Sequence, residues 1–338
     1  MRQPPRVVIR TEGGPAIGFG QVRRCLSLAQ ALRRRKAEIV FLINDDAAMR
    51  REVAALGFEA EPIATARDPH ATIRRCKTLR AQVVVVDSYR FSAAWFQELM
   101  GAGWRILAID DLQERKFPED VTVVNCTPGA WPLAPRTFRP HDLLGPAYAL
   151  LRPEFAKPVT RRLNHPVERL LITIGGGDSH GLTPRLIDWT RCALGPIRID
   201  VVIGPLFDQK IVGRLNGHRD GVTCHHQPLN IRDVMLSADL AISGGGQTTY
   251  ELAATGTPAI AVRLADNQTQ NLKGFESAGA MVWAGDATDR RLQDKISDEL
   301  KTLAQDVAER RRLGARGREM VDGRGANRVA RFILDRSA

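Results

Sequence analysis

The sequence has few cysteines, few aromatic side chains and no apolar run long enough to span a membrane. The five cysteines are scattered and odd in number, which is typical of reduced thiols in a cytoplasm. The first five residues lead straight into a predicted strand, and we recognise no signal peptide. With 338 residues, of which 43% are apolar and 26% charged, we expect a cytoplasmic globular protein long enough for two domains.

Aromatic residues make up only 6% of the chain, so stacking platforms for single-stranded nucleic acid are scarce. The net charge is nevertheless +11, and arginine clusters occur at residues 33–36 and 310–312. Both clusters fall near predicted helix ends, where cations suit the helix dipole. We interpret them as solvated helix faces and expect no nucleic-acid partner, although a positive cleft would help to capture a diphosphate.

The most informative stretch is a glycine-rich turn between the apolar run 239–242, a predicted strand, and a helix that continues toward Gly256. Glycines let the backbone approach an anion closely, and the first N–H groups of the helix point at it. A carboxylate about one helical turn in can hold a ribose diol. We therefore predict a nucleoside diphosphate site formed by Gly245, Gly246, Gln247, Thr248 and Glu251. The alternative is a turn with no ligand.

Two further glycine-rich turns follow predicted strands, one near the start of each half of the chain, which suggests a duplicated architecture. A turn of this kind after the first strand is typical of nucleotide-binding α/β folds. The candidate ligand contacts in the two turns are Gly18, Gly20, Gly175 and Gly176. Gln21 is the first side chain beyond the N-terminal turn, where it is placed to face whatever fills the cleft.

Polar side chains follow the apolar strand 83–86, at the edge of the sheet where ligands of open α/β folds bind. Asp87 could act as a base, or it could cap the next helix at 92–100. Tyr89 could hydrogen-bond a sugar or phosphate, or it could pack. We favour functional roles for both. Asn267 also lies at the carboxyl end of a predicted strand.

Two other groups of polar residues invite a metal interpretation. Asp110 and Asp111 follow a strand, but adjacent residues of an extended strand point to opposite faces, so we expect one to cap and the other to be exposed. Cys224-His225-His226 has no further ligands at suitable spacing close by. We interpret it as a surface turn and expect neither a metal nor another cofactor.

Strands alternate with helices along both halves, which predicts an α/β protein with parallel sheets. The pattern breaks between residues 144 and 166, where four prolines interrupt it. We therefore predict two domains, residues 1–150 and 151–338. A long, highly charged amphipathic helix is expected at 292–313, as an outer layer.

Six motifs together resemble one family, in the same order and over nearly the whole chain. The family is the UDP-sugar hydrolases of the pseudaminic acid pathway with their spore-coat polysaccharide relatives, which are similar in the C-terminal half to the glycosyltransferase that makes lipid II. The motifs lie at residues 17–26, 87–89 with 109–112, 145–155, 243–252, 264–268 and 322–326.

The resemblance implies a GT-B fold, in which two Rossmann-like domains with parallel sheets face each other across a cleft. It implies that the N-terminal domain takes the sugar or acceptor side and that the C-terminal domain binds UDP, with Gly245, Gly246 and Thr248 at the diphosphate and Glu251 at the ribose. The implied reaction is metal-independent, inverting hydrolysis of UDP-2,4-diacetamido-2,4,6-trideoxy-β-L-altrose. Tyr89 and Asn267 match positions that contact substrate or water.

One position departs seriously from the family: Gln21 replaces the histidine that is the presumed general base. Glu12, where the family more often has Asp, is a smaller deviation. An amide can orient water but cannot take its proton near neutral pH. Asp87 is the better substitute base, and His180 is a weaker one. Three hypotheses follow: a UDP-sugar hydrolase, which we favour, a glycosyltransferase on the same fold, and a UDP-sugar-binding pseudoenzyme. The oligomeric state stays open.

Overall fold

The computed structural model describes residues 4–14, 17–63, 69–112, 115–129, 139–217 and 221–335. The described chain divides into two compact units. The first contains the chain up to Pro153 together with the residues from Gly323 onward, and the second contains Glu154–Asp322. The predicted division at residues 150 and 151 did not include this return of the C-terminus to the first unit.

The first unit alternates strands and helices, as the sequence predicts. In chain order they are β1 (Arg6–Thr11), α1 (Gly20–Arg34), β2 (Glu38–Ile43), α2 (Ala47–Ala55), β3 (Glu59–Pro62), α3 (Pro69–Thr78), β4 (Val83–Asp87), α4 (Ala93–Met100), β5 (Arg105–Ile109), β6 (Thr122–Asn125) and β7 (Leu143–Leu144).

The second unit repeats this alternation. Its elements are β8 (Arg169–Thr173), α5 (Leu182–Leu194), β9 (Arg198–Ile203), α6 (Gln209–Gly217), β10 (Val222–His226), α7 (Ile231–Ser237), β11 (Leu240–Gly244), α8 (Thr248–Thr255), β12 (Ala259–Arg263), α9 (Thr269–Ser277), β13 (Val282–Asp286), α10 (Leu292–Gln305) and α11 (Val307–Met320). The last helix, α12 (Gly325–Asp335), belongs to the first unit. Among the residues that the structure describes, none of the helices combines the length and apolar character that crossing a membrane requires.

Both sheets are parallel in every described pairing, which confirms the predicted α/β class. The strand order is β3-β2-β1-β4-β5-β6-β7 in the first unit and β10-β9-β8-β11-β12-β13 in the second. In each sheet the order reverses beside the unit's first strand, between β1 and β4 and between β8 and β11. Ligands of such sheets bind at the carboxyl ends of the strands, at the reversal.

Helices cover the sheets, so the central strands are apolar on both faces. In the first unit the residues of β4 are buried along its whole length, and Val84 packs in a cluster with Phe96 of α4. In the second unit Ile172 and Ile242 of the neighbouring β8 and β11 lie in one core with side chains of α5 and α10. Each unit therefore has its own hydrophobic core.

Two local predictions were wrong, and one alternative left open by the sequence is excluded. The helix expected at 292–313 is two helices, because Asp306 ends α10 and its side chain accepts a hydrogen bond from the Glu309 N–H at the start of α11. Cys224-His225-His226 is not a surface turn but part of the edge strand β10, paired with β9. The cap of α4 is Ser92, whose Oγ accepts from the Trp95 N–H, and not Asp87.

The C-terminal helix joins two motifs that lie far apart in the sequence. A Cβ atom at Gly325 would overlap the carbonyl oxygen of Ala149, so only glycine permits this approach. Arg328 of α12 donates a hydrogen bond to the Ala147 carbonyl at 2.8 Å. Residues 147–149 of the first of these motifs are therefore packed against the start of α12 within the first unit.

Candidate functional site

The N-terminal glycine turn lies at the strand reversal of the first unit, between β1 and α1. Gly14 and Gly18 exchange backbone hydrogen bonds at 3.2 and 2.7 Å, and both adopt the positive φ angles that favour glycine. Asn44, at the end of β2, fixes the start of the turn by donating to and accepting from the Gly13 backbone at 2.9 Å. A Cβ at Gly18 or Gly20 would meet no atom within 4 Å, so this side of the turn is open.

Gln21 follows this turn in the first turn of α1. Its side chain is only 6% exposed. Neither Oε1 nor Nε2 has a hydrogen-bond partner among the described residues. Buried amides are almost always paired in folded proteins, so this side chain is an exception that requires an explanation.

Arg24, one helical turn beyond Gln21, connects the ends of two neighbouring strands. Its Nε and Nη2 donate to the two carboxylate oxygens of Asp87 at 2.6 and 2.7 Å, and its Nη1 donates to Asp111 at 2.7 Å. The guanidinium also lies 5.9 Å from the ring centroid of Tyr89. Sequence reasoning missed Arg24, although an arginine among the buried apolar positions of α1 was a signal that could have found it.

This cluster sets the protonation of its carboxylates. Burial raises the pKa of the Asp87 carboxyl above its ordinary value, although Arg24 opposes the shift. Burial also acts on Asp111, but Arg24 and the Tyr89 hydroxyl outweigh it and hold the pKa of Asp111 below its ordinary value. Asp87 has no exposed surface, and its oxygens are engaged by Arg24, so its role as a base stays a prediction.

The neighbouring Asp110 is also buried, and its Oδ1 accepts from Arg115 Nε at 3.1 Å. Arg115 in turn donates to the Ser88 carbonyl at 2.6 Å. Asp110 and Asp111 are thus both bound in ion pairs, with different arginines. The expectation that one caps and the other is exposed was wrong.

A second ion-pair network lies beside the first. Glu12, at the end of β1, is buried and accepts hydrogen bonds from Ser88 Oγ at 2.5 Å and from Arg90 Nε at 3.0 Å. These hydrogen bonds outweigh burial and lower the pKa of Glu12. Arg10, fully buried with its Nη2 3.9 Å from Glu12, has a pKa lowered to about 10 by burial. The strand ends of β1 and β4 are therefore held in place by charge.

In the second unit, side chains from α9 and from the short turn that precedes it hold the glycine turn after β11 in place. A Cβ at Gly245 would lie 2.7 Å from Leu272 Cδ1, so any larger residue here would have to displace the buried Leu272 side chain. The Gly245 N–H donates to Gln268 Oε1 at 3.2 Å, and Asn271 Nδ2 donates to the Gly245 carbonyl at 2.8 Å. Gly246 is open, since a Cβ there would meet only Gln268 Nε2 at 3.6 Å. Sequence reasoning missed the bracing role of both amide side chains.

The first turn of α8 supplies the remaining predicted contacts of this turn. Gln247 precedes the helix, and Thr248 and Glu251 lie in its first turn, all half-buried. The hydroxyl of Thr249 donates to the Gly246 carbonyl at 2.7 Å, so it serves the turn itself.

The third glycine turn follows β8, beside β11. A Cβ at Gly175 or Gly176 would meet nothing within 4 Å. The buried Asp178 accepts from the N–H groups of Leu182 and Thr183 at 2.7 Å and so holds the start of α5. The structure thus brings the predicted glycines after β8 and β11 to one edge of one sheet.

Two further candidates lie near the end of β12. Asn267 is exposed on a short 3₁₀ turn, Asp266–Gln268. His180 Nε2 lies 3.1 Å from the Leu264 carbonyl. Both are on the carboxyl side of the second sheet, with the glycine turns.

Comparison with known proteins agrees with this architecture. The model of the glycosyltransferase family 28 C-terminal domain matches residues 218–318. The crystal structure of Acinetobacter baumannii MurG is similar with a TM-score of 0.70 at 17% sequence identity, over 98% of this chain and 100% of that one. The protein has a GT-B fold. The GT-B chain therefore consists of two Rossmann-like domains, as the resemblance implied.

The chain is also similar in sequence to two distant homologues. The chain is 26% identical over 228 residues to a Helicobacter pylori protein named pseudaminic acid cytidylyltransferase and UDP-2,4-diacetamido-2,4,6-trideoxy-beta-L-altropyranose hydrolase, covering 66% of this chain and 39% of that one. It is 26% identical over 200 residues to the Bacillus subtilis spore coat polysaccharide biosynthesis protein SpsG, covering 56% of this chain and 57% of that one. The matches span about half the length of these relatives or less.

Proposed function

We propose that the protein is an enzyme that hydrolyses a UDP-sugar, releasing UDP from a UDP-diacetamido-trideoxyhexose with inversion and without a metal, in the biosynthesis of a pseudaminic-type acid or a surface polysaccharide. The observation that carries the proposal is the set of glycines in the turns at the two strand reversals where an added Cβ would meet no protein atom within 3.5 Å: Gly18, Gly20, Gly175, Gly176 and Gly246. The two named homologues support the choice of reaction and sugar.

The diphosphate would bind at the start of α8. Gly246 lets the backbone approach an anion, and the first N–H groups of the helix offer hydrogen bonds to it. Gln247 and Thr248 add polar side chains, and Glu251 takes the ribose diol. Charge that develops on the departing UDP is met by fixed dipoles, and this is how a protein stabilises a leaving group without a metal.

In the reaction, the oxygen of a water molecule attacks the anomeric carbon, the bond to the β-phosphate oxygen breaks, and UDP leaves with the electron pair. The attacking water loses a proton to a base, for which Asp87 is the candidate. Its raised pKa suits proton uptake, but one of its oxygens must exchange a hydrogen bond with Arg24 for one with water. Tyr89 would bind the sugar, and Asn267 would orient water.

A glycosyltransferase is the second candidate, favoured by the family 28 match over residues 218–318. In that reaction an acceptor hydroxyl replaces water. The test is incubation with UDP-N-acetyl sugars, following UDP release and the anomer formed by NMR, with and without an alcohol acceptor, for the wild type and Gln21→His. UDP released with free sugar supports hydrolysis, and Gln21→His is expected to increase its rate.

If UDP is released only when the acceptor is present, the protein is a glycosyltransferase and not a hydrolase. Tight UDP binding with no turnover in either protein would indicate a binding module. No UDP binding at all would contradict the proposal as a whole.

A further inference from the structure

The buried amide of Gln21 is distinct from the other amide side chains that the structure describes. Asn271, Asn125 and Gln30 each leave one buried amide atom without a partner, whereas Gln21 leaves both. Asn271 Nδ2, for example, donates to both the Gly245 carbonyl and Thr249 Oγ1 at 2.8 Å. An unpaired buried amide destabilises the folded protein, since it has lost water and gained nothing in exchange.

Nothing in the local backbone requires a polar side chain at this position. The Gln21 side chain forms no helix cap, and α1 starts without any side-chain cap at Phe19. Val22 and Cys25 of the same helix are buried and apolar, and the buried polar group nearest along the helix face, Arg24, is already paired with Asp87 and Asp111. Gly18 and Gly20 precede it in the turn, and a Cβ atom added at either would meet no atom within 4 Å.

From these observations we infer that Gln21 determines specificity by binding a neutral ligand group that offers a hydrogen-bond donor and an acceptor on adjacent atoms. A glutamine amide has an acceptor oxygen and a donor nitrogen side by side, and it pairs with such a group through two hydrogen bonds. A phosphate has no donor near neutral pH, so it would accept from Nε2 alone and leave Oε1 without a partner.

Three parts of a UDP-sugar have this chemistry: a pair of adjacent polar substituents on the sugar ring, the ribose diol and the edge of the uracil base. The proposed function gives the ribose diol to Glu251. We assign Gln21 to the sugar substituents. The assignment rests on the proposed function, because it takes a UDP-sugar to be the ligand.

The experiment compares the affinities of UDP and UDP-N-acetylglucosamine by calorimetry for the full chain and three variants. Gln21→Met keeps the length of the side chain and removes both hydrogen-bonding groups. Gln21→Glu keeps an acceptor and removes the donor. Gln30→Met, on the same helix, is the matched control. The melting temperature of each unliganded protein is measured in parallel.

We expect Gln21→Met to weaken binding of UDP-N-acetylglucosamine by about 10–100-fold and to leave that of UDP within about twofold. Gln21→Glu should weaken it as well, because it lacks the donor. The unliganded Gln21→Met protein should melt about 2–6 °C higher than the wild type, since the unpaired amide is gone. Gln30→Met should change neither affinity.

The outcomes that overturn the inference differ from those that overturn the proposed function. If the wild type and Gln21→Met bind UDP-N-acetylglucosamine equally well, Gln21 forms no hydrogen bonds with the sugar. Equal losses for UDP and the UDP-sugar would assign the amide to the uracil edge instead. A wild type that binds neither compound contradicts the proposed function itself, and the inference with it.

Discussion

Arg24 on α1 and Asp87 at the end of β4 form a two-pronged ion pair in which Nε and Nη2 donate to the two carboxylate oxygens at 2.6 and 2.7 Å. Because Arg24 also reaches Asp111, this one side chain joins α1, β4 and β5 behind the N-terminal glycine turn. A fork of this geometry is available to arginine and not to lysine. The first turn of α1, which carries Gln21 and Arg24, is therefore tied by charge to Asp87 at the end of β4 and to Asp111 just beyond β5.

Asp87→Asn tests whether this carboxylate is the base. We expect the rate of UDP-sugar hydrolysis to fall by about 10²–10⁴-fold, the usual contribution of a positioned base. Asp110→Asn is the matched control, since Asp110 is also buried and bound to an arginine, Arg115. Steady-state kinetics on both variants measure the two rates, and circular dichroism checks that both variants fold. Equal losses in the two would mean that Asp87 acts only by holding Arg24.

Gly246→Ala tests the open backbone at the start of α8. A methyl group there would meet only Gln268 Nε2 at 3.6 Å, so the melting temperature should stay within about 2 °C of the wild type. The same methyl would keep the diphosphate from the backbone, and the affinity for UDP should fall at least about tenfold. Gly213→Ala, at an exposed position of α6 where an added methyl group meets no other atom, serves as the control. An unchanged affinity for UDP would place the diphosphate elsewhere.

Glu251→Ala tests the predicted ribose contact. Loss of a charged hydrogen-bond partner should weaken UDP binding by roughly 1–3 kcal/mol. Glu319→Ala removes a carboxylate of the same unit that is exposed and paired with Arg316 on α11, and it should leave affinity unchanged. Calorimetry with UDP and with uridine monophosphate measures both variants. The ribose role is refuted if Glu251→Ala binds as the wild type does.

The lowered pKa of Glu12 predicts a loss of stability in acid. Because the folded protein holds this carboxyl ionised to a lower pH than the unfolded chain does, the unfolded chain binds more protons in that range. The stabilisation is complete above the ordinary pKa of 4.5 and disappears as the pH falls from there through the lowered value. Melting temperatures measured from pH 7 to pH 3 should therefore decline below about pH 4.5.

Glu12→Gln should flatten this decline, because the titrating group is gone, and lower the stability at pH 7, where Arg90 loses its charged partner. Glu38→Gln, which removes an exposed carboxylate paired with Arg6, is the control and should follow the wild-type profile. If the melting temperature of Glu12→Gln falls in acid as that of the wild type does, other carboxylates cause the loss of stability.

The alternation of short apolar runs with helical spacing was sufficient to predict two parallel α/β units, because strands buried on both faces must be continuously apolar. The glycine turns after three of these strands could likewise be predicted from the sequence. Where the prediction failed, a local pattern was ambiguous. Cys224-His225-His226 was expected in a surface turn but pairs with β9, and the single helix expected at 292–313 is interrupted at Asp306.

By itself, the sequence determined the class of fold and the glycine turns that carry the candidate site, because backbone conformation and burial follow from residue type and spacing. Only the tertiary structure decided which partners complete that site. Arg24 reaches Asp87 across 63 positions of the chain, Asn271 reaches back to Gly245, and the C-terminal helix packs on the turn at Ala149. Such contacts join side chains that are distant in sequence, so no local pattern contains them.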